Sequence, residues 1–399
     1  MTRDFTLYQA ARFLLTVSIQ MQSVVVGYQV CELTKQPLDL GFVGLAQFLP
    51  VFLLSPVTGN VADRFDRRRI LLVCEAGFAL CSSLLLALQL AHNEDVRAIY
   101  AVLVLFGILR AFSGPASQAL TPHLVPSERL SRALAIASTV WQGATIAGPA
   151  IGGVIYAAGG AAAVYASSLI SVLMALSFIT AMKVRTGAMA KTAVTFETLF
   201  AGLKYVRQNP LLLGAISLDL FAVLLGGAVA LLPIYARDIL HVGSWGMGLM
   251  RSAPAAGASL MALMLSVRPV GGRAGLKMLG SVLLFGLATI VFGLSTSFPV
   301  SLAALFVLGA ADMVSVVVRQ TLLQIETPDD MRGRVSAVNL VFVGASNELG
   351  EFESGLTAAW LGAVPAVVAG GVGTCLVVLG CAVLFPKLRD VDTLESKSS

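Results

Sequence analysis

The chain has 399 residues, 57% hydrophobic and 12% charged, with a net charge of +5 and a mean hydropathy of +0.86. A soluble globular domain carries about 25% charged residues, so this composition excludes a large soluble domain and selects a membrane protein. The positive balance does not signal nucleic acid, because the basic residues follow alternate loops instead of gathering in one patch.

A spanning helix needs roughly 20 apolar residues. Apolar runs recur at 5–30, 40–57, 70–90, 98–119, 131–157, 162–182, 211–236, 245–267, 276–297, 300–323, 335–362 and 366–385. They predict an all-α membrane protein with twelve transmembrane helices and both chain ends on one side. The first run, Leu7–Val30, holds Gln9, Arg12, Gln20, Gln22 and Gln29 and lacks a small-residue cleavage site, so it reads as span 1 and not as a signal peptide. Connections are short except for 183–210. There Phe196, Leu199, Phe200, Leu203 and Val206 share one helical face, which predicts an amphipathic helix on the inner leaflet.

Lys and Arg set the orientation. Of 27 such residues, 21 fall in the ends and loops on the side of the termini, with Arg64, Arg67, Arg68 and Arg69 the densest group. Lys35, Arg97, Arg237 and Arg251 fall near the opposite face, and Arg110 and Arg319 lie within spans. This bias places both termini in the cytoplasm of a multi-pass cell inner-membrane protein. A constant offset of 202 residues pairs Gly107 with Gly309, Gln118 with Gln320, Pro126 with Pro328, Arg132 with Arg334, Gly148 with Gly350 and Gly153 with Gly355. Two six-helix halves in the same orientation follow. The expected organisation is an N-terminal bundle at 1–182, a cytoplasmic linker at 183–210, a C-terminal bundle at 211–385 and a cytoplasmic tail at 386–399.

Four groups of residues stand out for chemistry. Between spans 2 and 3 lies Gly59-Asn-Val-Ala-Asp63-Arg-Phe-Asp-Arg67-Arg-Arg69, where the Asp63 carboxylate can sit at the N-terminus of a neighbouring helix, whose free N–H groups favour an anion. Arg110, in Arg110-Ala-Phe-Ser-Gly114, falls near the middle of span 4, where a charge costs about 2.5–3.5 kcal/mol and must face a cavity or a partner. In span 5, Gly148, Pro149, Gly152 and Gly153 combine residues that bend a helix and admit close helix approach. Acidic residues concentrate in the second half: Asp219 in span 7, Asp312 in span 10, and Glu348, Glu351 and Glu353 in span 11. By the 202 offset, Asp312 occupies the position of Arg110.

Over its whole length this pattern resembles the major facilitator superfamily of transporters. In the loop after span 2, Gly59, Ala62, Asp63, Arg64, Arg67 and Arg68 match the family signature, with Val61 for a usual Leu and Asp66 for a second Gly. The variant Asp-Arg-Phe-Asp-Arg-Arg-Arg is similar to an enterobactin-exporter-like efflux branch. The resemblance implies alternating access between two bundles. It makes Gly59, Asp63, Arg64, Arg67 and Arg68 a conformational latch for the outward-open state, with a partner near Arg332–Val335. It links the Gly148–Gly153 motif to antiporting exporters. It places spans 1, 4, 7 and 10 around a central cavity, so that Gln20, Gln22, Arg110, Asp219 and Asp312, with Glu348, become substrate or proton-relay candidates. A carboxylate in low dielectric exchanges a proton as its surroundings alternate between wet and dry.

The resulting expectation is proton-coupled export of an amphipathic small molecule, a siderophore or a drug-like compound. The alternative is an importer or facilitator of a small polar metabolite; the region Met182-Lys-Val-Arg-Thr186 lacks the signature of sugar importers. Partners are then the substrate, protons and the lipid bilayer, with no nucleic acid and a monomeric chain. No cofactor or metal is expected. His92, His123 and His241 fall in separate loops, and Cys31, Cys74, Cys81, Cys375 and Cys381 lack metal or redox spacing. Neither a catalytic cluster nor a phosphate-binding Gly-x-x-x-x-Gly-Lys loop is present, so an enzyme is not expected.

Overall fold

The computed structural model of the protein describes residues 2–92, 95–184 and 196–392. The side chains of Gly59 and Asp63, residues 185–195 of the expected linker and the tail beyond Asp392 lie outside the described residues.

All regular structure in the described residues is helical: α1 (Arg3–Thr34), α2 (Pro37–Arg64), α3 (Arg67–Leu90), α4 (Val96–Leu120), α5 (Leu130–Ala181), α6 (Phe196–Gln208), α7 (Pro210–Leu225), α8 (Leu232–Ile234), α9 (Gly243–Val267), α10 (Ala274–Leu294), α11 (Phe298–Ile325), α12 (Asp329–Leu361), α13 (Ala363–Leu384) and α14 (Pro386–Arg389), besides short 3-10 and π turns. Among these residues, nine helical stretches are long and apolar enough to cross a membrane. One of the nine, Arg132–Ala181, is 50 residues long, twice what a crossing needs. The long helices α9 and α12 lie outside the nine.

The expected runs 131–157 and 162–182 merge in α5, which turns on Gly160 (φ 69°, ψ −171°), a conformation open to glycine because it has no Cβ. Helical assignment runs through Pro149, and the departure comes at Gly160. The expected single run 211–236 is interrupted. α7 ends at Leu225, the Gly226–Gly227 pair unwinds, and a 3-10 turn (Ala228–Leu231), α8 and a π turn (Tyr235–Ile239) follow. Two consecutive glycines with Pro233 close behind supply the physical reason.

The chain divides into two compact units. Unit 1 comprises Met1–Lys35, Phe42–Ala193 and Val242–Ser252; unit 2 comprises Gln36–Gly41, Val194–His241 and Ala253–Ser399. In unit 1, α1 lies along α5, and α3 packs on both α4 and α5. Its core near the chain start joins Phe5, Tyr8, Leu71, Leu120 and Ile179. The same end is tied by polar caps. The Asp4 carboxylate accepts from the Lys183 and Val184 amides (3.2 and 2.9 Å), and the Arg68 guanidinium donates to the carbonyls of Ile179 and Thr180 (3.0 and 2.7 Å). Arg68 thus satisfies the Thr180 carbonyl at the last turn of α5 and shares the Ile179 carbonyl with the Met182 amide (3.3 Å).

In unit 2, α10 packs against α11 and α13 around Leu218, Met278, Val318 and Leu322. Asp392 caps the start of α10 by accepting from the Arg273 amide at 2.8 Å. α6 docks through Val206, buried with Leu212, Leu323, Val335 and Val338, while Phe200 on its other side is 66% exposed. The amphipathic face read from sequence therefore splits: Val206 faces protein, not lipid. The repeat reappears as packing. A Cβ on Gly107 would run into the Gln47 backbone in unit 1, and one on Gly309 into the Pro254 backbone in unit 2. Apolar side chains such as Val73, Val267 and Val383 are at least 70% exposed, the surface expected of helices facing acyl chains.

Candidate functional site

The strongest concentration of buried charge lies in unit 2, where α7, α10 and α11 meet. On α11, Asp312, Ser315 and Arg319 follow i, i+3, i+7 spacing and so share one face. Asp219 on α7 faces them. The Arg319 guanidinium forms an ion pair with the Asp219 carboxylate, and both side chains are nearly inaccessible, at 3% and 6% exposure. Asp219 and Asp312 line one cavity of about 10 Å³ with Ser315, Val282 and Phe285, room for about one water.

Charge counting shows what this arrangement can do. Two carboxylates and one guanidinium occupy an apolar interior. Arg319 is committed to Asp219, while no hydrogen bond or ion pair to Asp312 occurs among the described residues. Arg319 Nε is buried and lacks a partner, so the guanidinium retains donor capacity. An uncompensated buried charge costs several kcal/mol, of order 3–5 kcal/mol when one partner of a pair is lost. The cluster is thus poised to take up one proton or one cationic or donor-bearing ligand group.

Gln22 is buried in unit 1 and its amide donates to Ser82 Oγ (2.7 Å) and Ser18 Oγ (3.3 Å), linking α1 to α3. Gln20 is half-buried, with its Cβ against Gly148. Arg110 is exposed on α4. Glu348 is half-buried on α12 and does not line the Asp219–Asp312 cavity. Glu353 accepts from the Thr357 hydroxyl at 2.7 Å. In the basic turn, Asp66 caps α3 by accepting from the Arg68 amide at 3.1 Å, which gives a tight turn without the second glycine. Arg67 is buried, its Nη1 3.1 Å from His123 Nε2, while Arg64 is exposed. In α5, a Cβ on Gly148 or Gly152 would collide with α1 at Gln20 and Met21, and Pro149 and Gly153 lie against Gly248 at the start of α9.

Two buried charged residues fall outside the candidates named from the sequence. Arg319 lies within a span, and its i+7 relation to Asp312 marks it as part of the site. Glu75 in α3 contradicts the impression that buried acids belong to the second half: it is 3% exposed and its Oε2 lacks a hydrogen-bond partner. Its signal was a lone carboxylate in the apolar run 70–90. No cluster of three metal-ligating side chains occurs among the described residues.

The profile of one protein family, described as transmembrane secretion effector and part of the major facilitator superfamily, matches residues 3–399. The chain is 27% identical over 384 residues to the enterobactin exporter EntS of Citrobacter koseri, covering 95% of this chain and 91% of that one. It is also 27% identical over 382 residues to EntS of Escherichia coli O139:H28, covering 94% and 89%. Among solved structures it resembles a POT family transporter in complex with 5-aminolevulinic acid (TM-score 0.77, 11% identity, 97% of both chains). It also resembles a bacterial homologue of the iron transporter ferroportin in an inward-facing state (TM-score 0.69, 16% identity, 98% and 99%). At these identities the structural likeness speaks for the fold alone.

Proposed function

The chain belongs to the transmembrane secretion effector family of the major facilitator superfamily, and on that premise we propose that it exports an amphipathic small molecule in exchange for protons. Membership makes it a multi-pass membrane transporter. The full-length similarity to proteins named enterobactin exporter favours efflux and makes catecholate siderophores the first substrates to test, with drug-like amphiphiles second.

The observation that carries the coupling reading is the Asp219–Arg319 pair with Asp312 in the same cavity. One proton shared by the two carboxylates balances the guanidinium in the closed cavity. When the cavity opens to water, that proton can leave, and Asp312 then competes with Asp219 for Arg319. Charge that is stable only when paired becomes a switch between two arrangements. The energy source is the proton gradient, and the two halves, 1–182 and 211–385, comprise twelve spans that alternate between inward-open and outward-open states, with both ends cytoplasmic in the inner membrane. Asp63 and its basic neighbours are assigned the latch that holds one of the two states, and Gly148–Gly153 the close packing across which helices slide.

The test is accumulation in cells with and without the protein. A panel of catecholate siderophores, dyes and antibiotics is compared with and without a protonophore. Lower accumulation of one class, reversed by the protonophore, is expected. Accumulation that rises with expression would favour uptake, and flux indifferent to the protonophore would remove the antiport.

A further inference from the structure

A second polar site lies in unit 1, at the end of the bundle away from the chain start. There the C-terminal turns of α1 and α3 meet α5 just before its turn at Gly160. A cavity of about 270 Å³ opens between them, lined by Gln29, Glu32, Gln89, His92 and Tyr156. This is close to the lower bound of volumes that hold small ligands, about 300 Å³. The cluster takes no part in the Asp219–Arg319 chemistry.

Its hydrogen bonds are directional. Tyr156 donates its hydroxyl proton to Glu32 Oε2 (2.8 Å), and Tyr165, wholly buried behind the cavity, donates to Gln29 Oε1 (2.6 Å). Gln29 Nε2 in turn donates to Gln89 Oε1 (2.8 Å). Both phenolic protons and one amide proton are therefore spent inside the wall. What remains toward the cavity is the Glu32 carboxylate, its Oε1 unspent, with lone pairs on Tyr156 Oη, Gln29 Oε1 and Gln89 Oε1, beside N–H groups of the Gln29 and Gln89 amides and the His92 ring. The lining residues include no Lys or Arg. Tyr156 also stacks edge-on against Tyr28, with ring centroids 5.3 Å apart, so aromatic surface adjoins the carboxylate. A carboxylate, oriented acceptors and aromatic rings form the chemistry that recognises an organic ammonium group.

We propose that this cavity is a binding site for small primary organic amines, held as ammonium ions by Glu32 and the Gln29–Gln89 oxygens against the Tyr156 ring. The ammonium supplies three donors to the Glu32 carboxylate and the neighbouring amide oxygens, and its organic part fills volume too large for a bare ion. The site is built within one bundle and does not depend on the transport mechanism.

The test is isothermal titration of the purified full-length protein with benzylamine, with benzyl alcohol as the neutral counterpart. Saturable binding of benzylamine, at least tenfold weaker in Glu32→Gln, and weaker in Tyr156→Phe, is expected, with no comparable binding of the alcohol. Glu32→Gln keeps side-chain volume, and an unchanged elution profile and Tm verify that it folds. Absent binding, equal binding of the alcohol, or undiminished binding by folded Glu32→Gln would overturn the proposal. Undiminished binding that is lost in Asp219→Asn would place the amine in the unit 2 cavity instead, and would equally overturn it.

Discussion

Replacing Arg319 by Gln leaves the Asp219 carboxylate in a site where its side chain is 6% exposed, and Asp219→Asn leaves a guanidinium that is 3% exposed. Neither orphan can turn to water. Breaking such a pair from one side costs about 3–5 kcal/mol, whereas removing both charges is far milder. Unit 2 is of the size for which 1 kcal/mol moves Tm by about 2–4 °C, so each single variant should melt about 6–20 °C below the wild type. Asp219→Asn/Arg319→Gln should melt well above the sum of the two losses, with a coupling energy near the upper end of the usual range of about 0.5–3 kcal/mol. Asp312→Asn, which breaks no ion pair, should stay within about 1 kcal/mol of the wild type. The assay is thermal unfolding of the four variants in one detergent. Single variants melting within 2 °C of the wild type, or strictly additive losses (each read at about the 0.3–0.5 kcal/mol precision of additivity), would refute the buried-pair reasoning.

Other outcomes follow from local geometry. Gly160→Ala places a Cβ at φ 69°, ψ −171°, and should cost about 1–3 kcal/mol, whereas Gly143→Ala, in open space within the same helix, should be neutral or stabilising by up to about 1 kcal/mol; paired melting curves decide. Gly309→Val and Gly107→Val should each destabilise by about 1–3 kcal/mol through overpacking on Pro254 and Gln47, seen as lower Tm and lower yield of folded protein. Arg68→Gln removes two charge-assisted bonds to the last carbonyls of α5 and, being half-exposed, should cost only about 1 kcal/mol. Asp63→Asn should lower transport severalfold; unchanged transport would sink the latch.

Much of this architecture was legible because lipid imposes simple demands. Runs of about 20 apolar residues and the placement of Lys and Arg are set by bilayer thickness and leaflet chemistry, and they show through any sequence. The 202-residue repeat was legible at glycines such as Gly107 and Gly309, because close helix approach tolerates no Cβ and so fixes residue type. The break at Gly226–Gly227 was not read, since an apolar run looks the same whether its helix is continuous or unwound. Side-chain partners were harder still. Gln22 and Asp219 read alike as polar residues in spans, but the first ties α1 to α3 and the second pairs with Arg319. Hydropathy gives depth in the membrane and says little about which face of a helix a residue takes. Glu75 was missed for the same reason, and the spacing of Asp312 and Arg319 on one helical face was the available clue to the site.

The most direct test of the central claim follows proton movement itself. Purified protein is reconstituted into liposomes containing a pH-sensitive dye, and the substrate identified by the accumulation screen is added on one side. The wild type should move protons opposite to the substrate, and Asp312→Asn, folded and still binding substrate, should move none. Equal proton movement in Asp312→Asn, or substrate flux without proton movement in the wild type, would contradict the account.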